Sequence, residues 1–303
     1  MATSNKILES ILNNPPPSKS SISYSWLAPN ARGFDNAMAI LKASSFTMPN
    51  SSAYPTPPAS PTLENAPAMN TSSNDPNAYP SNAHSSLTTS SPKMEFSVFP
   101  AATETFTQKN LNCDIATSLE RFKPVIQGAK AAGFRVRAYI SVVLGCPFEG
   151  YDVDPHRVAE IATELMEMGA DEIDLGDTTG MGTAPRTAEL LKVMTAAGVR
   201  NEDIAMHFHD TYGQALVNTA VSLEHGIRTF DSSVGGLGGC PYSPGATGNV
   251  ATEDMVYFLE SLGMETGVDL DALADIGQWI TKEIGKPNCS PVGKAVLGKR
   301  GRV

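Results

Sequence analysis

Two histidines separated by one residue, His207 and His209 in "MHFHDTYG" (206–213), are the sharpest chemical signal in this 303-residue chain. Side chains alternate along a strand, so both imidazoles project to one face while Phe208 points to the other. Two adjacent neutral ring nitrogens can take neighbouring positions on a divalent metal. The same spacing also suits two partly exposed histidines hydrogen-bonded to Asp210 or to backbone. A second signal is "DSSVGGLGGCPYSPGATGN" (231–249), with four glycines between 235 and 239. Glycine forfeits backbone entropy inside a helix or strand, so this has to be a shaped loop, and a plain linker would not embed Cys-Pro-Tyr. It can bring backbone N–H groups to an anion, or place Cys240 and Asn249 over a site. Asn249 offers a hard amide oxygen, and Cys240 a thiol able to exchange a proton. Arg137, Tyr139 and Ser141 alternate before "GCPFEG" (145–150) and share a face, where they could equally fill a polar interior layer. Asp177 and Thr178 end the strand of "DLGDTTGMGTAP" (174–185), whose glycines do not make a dinucleotide fingerprint.

The elements that must carry these residues repeat with one beat. "MEFSVFP" (94–100) reads as a strand, 113–133 as a helix and 134–143 as a strand. Then come a helix with Asp154 as N-cap and Gly169 as stop, the strand "DEIDLGD", a helix ended by Gly198, the strand "EDIAMHFHD", the helix "GQALVNTAVSLEHG" and the strand "IRTFDSSV". Upstream, "SISYSWLAPN" and "GFDNAMAILKA" supply one more strand and helix. Strands alternating with helices of this length imply right-handed crossovers and a parallel sheet. The expected fold is a TIM-type (β/α)8 barrel, incomplete, with about six βα units and its first two strands missing. The expected organisation is a loose tail (1–20), a first remaining βα unit (21–43), an insertion (44–92), a main domain (93–285) and a C-terminal tail (286–303). The insertion is about two-thirds Ser, Thr, Pro and Asn and is expected to be disordered, since it cannot bury enough apolar surface to offset its ordering entropy.

A net charge of −10 works against nucleic acid, whose phosphates call for clustered Lys and Arg. No run of about 18 apolar residues suggests a membrane span, and the N-terminus lacks the order of a secretory signal. The four cysteines (Cys113, Cys146, Cys240, Cys289) are widely spaced and read as reduced thiols.

In this order, "PNARGFDNA", "TETFTQKNLNC", "GCPFEG", "LGDTTGMGTAP", "HFHDTYGQALVNT" and "DSSVGGLGGCPYSPGATGNVATEDMVY" closely resemble the hydroxymethylglutaryl-CoA lyases, metal-dependent TIM-barrel lyases. The resemblance covers about 21–43 and 94–285. It implies cleavage of 3-hydroxy-3-methylglutaryl-CoA to acetyl-CoA and acetoacetate, as in leucine catabolism and ketone-body formation, with magnesium or manganese. It implies His207, His209 and Asn249 as metal ligands, Cys240 and His207 as catalytic groups, and Asn110, Arg137, Tyr139, Ser141 and Thr178 as substrate-binding residues. An acyl-CoA substrate follows from it, with a homodimer as one assembly, and a mitochondrial location, although no convincing presequence is present and the cytoplasm is the other expectation. The chain departs from the pattern in lacking the N-terminal Arg-Asp-Gly strand, whose Asp is a metal ligand, and a second strand bearing a pocket Glu. This leaves two further readings: an inactive truncated homologue or scaffold, and an acyl-CoA condensing synthase of the same superfamily. The "GLGGCPYSPGATGN" loop favours the lyase branch over the synthases.

Overall fold

The computed structural model describes residues 4–16, 22–44, 46–48, 93–239 and 248–301. The disorder expected of 44–92 therefore falls almost wholly outside the described residues, as does Cys240. Among the described residues one sheet carries strands β1 (Ser23–Leu27), β2 (Lys93–Val98), β3 (Arg135–Ile140), β4 (Glu172–Asp177), β5 (Ile204–Phe208) and β6 (Thr229–Asp231). They are hydrogen-bonded in sequence order, every pair parallel, as an open curled half-barrel. Helices α2 (Ala31–Ala43), α4 (Ile115–Ala131), α5 (Pro155–Met168), α6 (Ala184–Ala196), α7 (Ala215–Glu224) and α8 (Thr252–Ser261) follow the successive strands, numbered with α1 (Ser4–Asn13) before them and α3 (Glu104–Leu111) ahead of α4. Asp154 caps α5 through His156 N, and Gly169 ends it at φ +114, a backbone region that favours glycine.

Period-two alternation separates the two faces of the sheet. Met94, Phe96 and Val98 of β2, Val136, Ala138 and Ile140 of β3, and Ile204, Met206 and Phe208 of β5 are buried in the hydrophobic core shared with the helices. Phe96 packs edge-on against Phe34 and Phe134, at centroid distances of 4.9 and 5.2 Å. Such pairs contribute about 0.5–1.5 kcal/mol each beyond area burial. The opposite face carries Glu95, Arg137, Tyr139, Glu172, Asp174 and His207, each inner-facing by the same alternation.

Three features differ from the sequence expectations. Residues 4–13, within the stretch expected to be a loose tail, form α1, whose Leu8 is completely buried in the core. The amphipathic pattern of "NKILESIL" docks once a groove beside α2 exists, and Pro15 and Pro16 stop the helix without detaching it. At the other end, where a tail was expected, α9 (Leu270–Glu283) is followed by α10 (Pro291–Lys299), with Leu297 buried and Arg300 paired to Asp275 at 3.2 Å. Finally, "ETFTQKNL" forms α3, too polar to show helical periodicity, and its left-handed C-cap Asn112 separates it from α4.

Candidate functional site

The alternation that sends Met206 and Phe208 into the core turns His207 and His209 to the inner face, with ring centroids 5.3 Å apart. Asn249 reaches them through backbone pairing. The segment after the glycine loop runs antiparallel to the end of β5: His209 bridges Asn249, Asp210 N donates to Gly248 O (3.0 Å) and Val250 N donates to Phe208 O (3.1 Å). Gly248 must be glycine. Its φ is +114, and a Cβ there would lie 2.4 Å from the carbonyl oxygens of both Gly236 and Gly238.

The hydrogen-bond roles around His207 are tightly constrained. Its Nδ1 stands 3.1 Å from Asp231 Oδ2, and an ionised carboxylate only accepts, so Nδ1 carries a hydrogen. Its Nε2 stands 2.9 Å from Asn249 Oδ1. The Asn249 amide N–H is spent on Leu237 O at 2.9 Å, which leaves the oxygen facing the ring. In the neutral tautomer two lone pairs therefore point at one another, an arrangement that needs a cation between them. A proton on Nε2 fills that place, whereas a divalent ion, bonded at about 2.0–2.2 Å to each atom, would lie beside the line with the two atoms as neighbouring ligands. Burial works against the charged ring, but the bond to Asp231 and the Asp174 carboxyl outweigh it and raise the His207 pKa above its usual value. His209 differs: burial, then the charge of His207, lower its pKa to about 4, so it stays neutral, and its buried Nδ1 has no hydrogen-bond partner.

Behind the histidines lies a buried charge cluster. Arg137 Nη2 donates to Asp174 Oδ2 (2.7 Å) and to Asp231 Oδ1 (2.8 Å). Its Nε lies 2.8 Å from Glu172 Oε1 at an angle that makes an ion pair but no hydrogen bond. The guanidinium also sits 5.1 Å from the centroid of the Tyr139 ring. Burial and the neighbouring Asp231 charge raise the Asp174 pKa. Burial also disfavours the Asp231 anion, but the His207 bond and Arg137 prevail and hold it below the ordinary carboxylate value. Asp231 is thus the ionised member of the pair.

Among the described residues, two groupings could hold a divalent ion. Asp174, His207 and Asp231 have ligand atoms within 4.8 Å of one another, but Arg137 already bridges the two carboxylates. On the other side of His207, Nε2, Asn249 Oδ1 and the neutral His209 ring converge with no guanidinium among them, and these nitrogen and oxygen donors suit a divalent ion better.

Of the residues singled out by sequence, His207, His209, Asn249, Arg137 and Tyr139 are brought together. Thr178 accepts the Val142 N–H at 2.9 Å and braces the ends of β3 and β4. Ser141 lies just past β3, its backbone tied to Pro100 and Ala102. Asn110 is exposed in the last turn of α3 and makes no hydrogen bond to the cluster. Asp231, Asp174 and Glu172 were not singled out. A signal was available, since a buried arginine on an inner face demands carboxylates on the adjoining strands.

An open parallel sheet wrapped in helices, with an imidazole pair and an amide oxygen meeting at its strand ends, defines a TIM-type α/β protein with a candidate divalent-metal site. Residues 82–280 match the family model described as HMGL-like, and the chain belongs to that family. It is 56% identical over 205 residues to a 3-hydroxy-3-isohexenylglutaryl-CoA/hydroxymethylglutaryl-CoA lyase of Pseudomonas aeruginosa, covering 68% of each chain. To a hydroxymethylglutaryl-CoA lyase of Pseudomonas mevalonii it is 51% identical over 208 residues, covering 69% of this chain and 68% of that one. The crystal structure of hydroxymethylglutaryl-CoA lyase from Pseudomonas aeruginosa superposes with a TM-score of 0.75 at 42% identity, covering 99% of this chain and 80% of the other. Among the described residues no helix is long and apolar enough to cross a membrane.

Proposed function

We propose that this chain is a metal-dependent carbon–carbon lyase that cleaves 3-hydroxy-3-methylglutaryl-CoA to acetyl-CoA and acetoacetate, with His207 Nε2, His209 and Asn249 Oδ1 holding magnesium or manganese. The observation that carries this reading is the pair of lone pairs facing each other 2.9 Å apart at His207 and Asn249, with a neutral imidazole beside them. Family membership and the names of the relatives supply the substrate. A bound divalent ion supplies Lewis acidity toward the hydroxyl oxygen that must lose its proton. The chain must then take that proton, let the carbon–carbon bond break, and return a proton to the enolate carbon of acetyl-CoA. Cys240, which lies outside the described residues, is the proton-bearing group proposed for these transfers; His207, with its Nδ1 hydrogen held by Asp231 and its Nε2 given to the ion, has no nitrogen left to take the proton and is proposed to act as a ligand. Tyr139, Ser141, Thr178 and Asn110 are proposed to line the acyl pocket, Asn110 from the exposed last turn of α3. The three ion donors carry no charge, so manganese, which accepts imidazole more readily, should bind ahead of magnesium.

The test is calorimetric titration with manganese beside an acetoacetate-release assay. The wild type is expected to bind manganese and to cleave the substrate slowly, and His209→Ala to abolish binding. A wild type that binds no manganese, or a His209→Ala variant that binds it unchanged, overturns the reading.

A further inference from the structure

We propose that Arg137 is a positioning residue rather than a ligand for the substrate's carboxylate: together with Asp174 it holds Asp231 against His207 Nδ1, and so fixes the tautomer that turns Nε2 toward Asn249. The proposal rests on the metal reading above only for its consequence, since the tautomer is set whether or not an ion is bound.

One unbroken line of contacts carries it across four elements. Arg137 on β3 donates to Asp231 Oδ1 at 2.8 Å, and the other Asp231 oxygen takes the His207 Nδ1 hydrogen at 3.1 Å. His207 Nε2 meets Asn249 Oδ1 at 2.9 Å, and the Asn249 amide is fixed on Leu237 O at 2.9 Å. Each residue spends one polar atom on each neighbour, so the aim of Nε2 is set from both ends. Nη2 and Nε of Arg137 already face carboxylates. Its guanidinium faces Glu172, Asp174 and Asp231, one face lies over Tyr139, and the side chain is only 12% exposed. An incoming carboxylate would meet three carboxyl groups around a cation they already neutralise. Asp174 completes the brace: it is wholly buried, shares the same Nη2 atom with Asp231, and keeps one oxygen without a partner. A carboxylate behind a ligating histidine orients the ring and raises its basicity, and losing such a partner typically costs about 10–100-fold in metal affinity.

The test is Asp231→Asn in the full chain, with Arg137→Lys and Asp231→Glu beside it and folding checked by circular dichroism. The first readout is the ring 15N signals of His207 without metal at alkaline pH, where the ring is neutral. The wild type is expected to show hydrogen on Nδ1, and Asp231→Asn a mixed or inverted pattern, because an amide donates as readily as it accepts. The second readout is manganese affinity by electron paramagnetic resonance, expected to fall about 10–100-fold in Asp231→Asn and at least partly in Arg137→Lys, with Asp231→Glu recovering part of the loss. If Asp231→Asn does not fold, Arg137→Lys and Asp231→Glu carry both readouts. An unchanged His207 tautomer in Asp231→Asn, or in Arg137→Lys where Asp231→Asn does not fold, overturns the proposal. So does an Arg137→Lys variant with raised KM and unaltered manganese affinity, the pattern of a substrate ligand. A wild type that shows the Nδ1 tautomer but binds no manganese sinks the metal reading and leaves the positioning role standing.

Discussion

Gly248→Ala isolates the backbone contribution to the site. The added Cβ would fall 2.4 Å from Gly236 O and Gly238 O, and ordinary carbon–oxygen contacts begin near ~3.3 Å, so one side must retreat by about 1 Å. The residue also sits at φ +114, where a side chain is strained by roughly 1–3 kcal/mol. Both strains can be relieved by letting the 248–250 segment leave β5, breaking the Gly248 O and Val250 N bonds. Asn249 would go with it. A displacement of about 1 Å at a positioned group costs on the order of 100-fold, and manganese affinity is expected to weaken by that order. The midpoint of thermal unfolding should drop by only a few degrees, since the core below is untouched. The assay is manganese titration in parallel with thermal melting. Wild-type affinity in Gly248→Ala would mean that Asn249 is not a ligand or that the loop accepts a side chain, and the geometric argument would fail.

Two other outcomes are expected. Because a proton on Nε2 occupies the place of the ion, manganese affinity should fall as pH drops through the raised His207 pKa, by about tenfold per pH unit below it. The raised folded-state pKa also means that the ion-free protein draws stability from this group that is complete below about 6.5 and is lost as pH rises above 6.5 through the higher folded-state pKa; a flat affinity profile contradicts the assignment. Leu8→Ala, which empties a fully buried position, should destabilise the fold by roughly 2–5 kcal/mol in chemical denaturation, whereas a detached N-terminal helix would give no change.

The sheet could be read from sequence because its strands and helices keep strict periods and Asp154, Gly169 and Gly198 mark helix ends. The His207–His209 pair was legible for the same reason: an alternating strand fixes where both rings point. Asn249 came from its residue type and the family resemblance, but its approach to His207 depends on an antiparallel bridge that no local pattern encodes. Asp231 and Asp174 were hidden because they act through a residue 94 and 37 positions away, respectively. Each alone looks like an ordinary strand carboxylate, and only the register Tyr139↔Asp174 and His207↔Asp231 brings them to one guanidinium. The docking of α1 was missed because an isolated amphipathic turn gives no indication of what surface awaits it.

The burial rhythm of β3 has a further consequence for how this protein tolerates change. Val136, Ala138 and Ile140 have no exposed surface, while Arg135, Arg137 and Tyr139 between them are half-buried and polar. In a saturation screen scored separately for cellular abundance and for turnover, the even-numbered positions should lose both together. Tyr139 should keep more of its abundance while turnover falls, Arg137 should lose turnover together with part of its abundance because its buried carboxylates are left unpaired, and Arg135, paired among the described residues only with Glu172, should be the most tolerant.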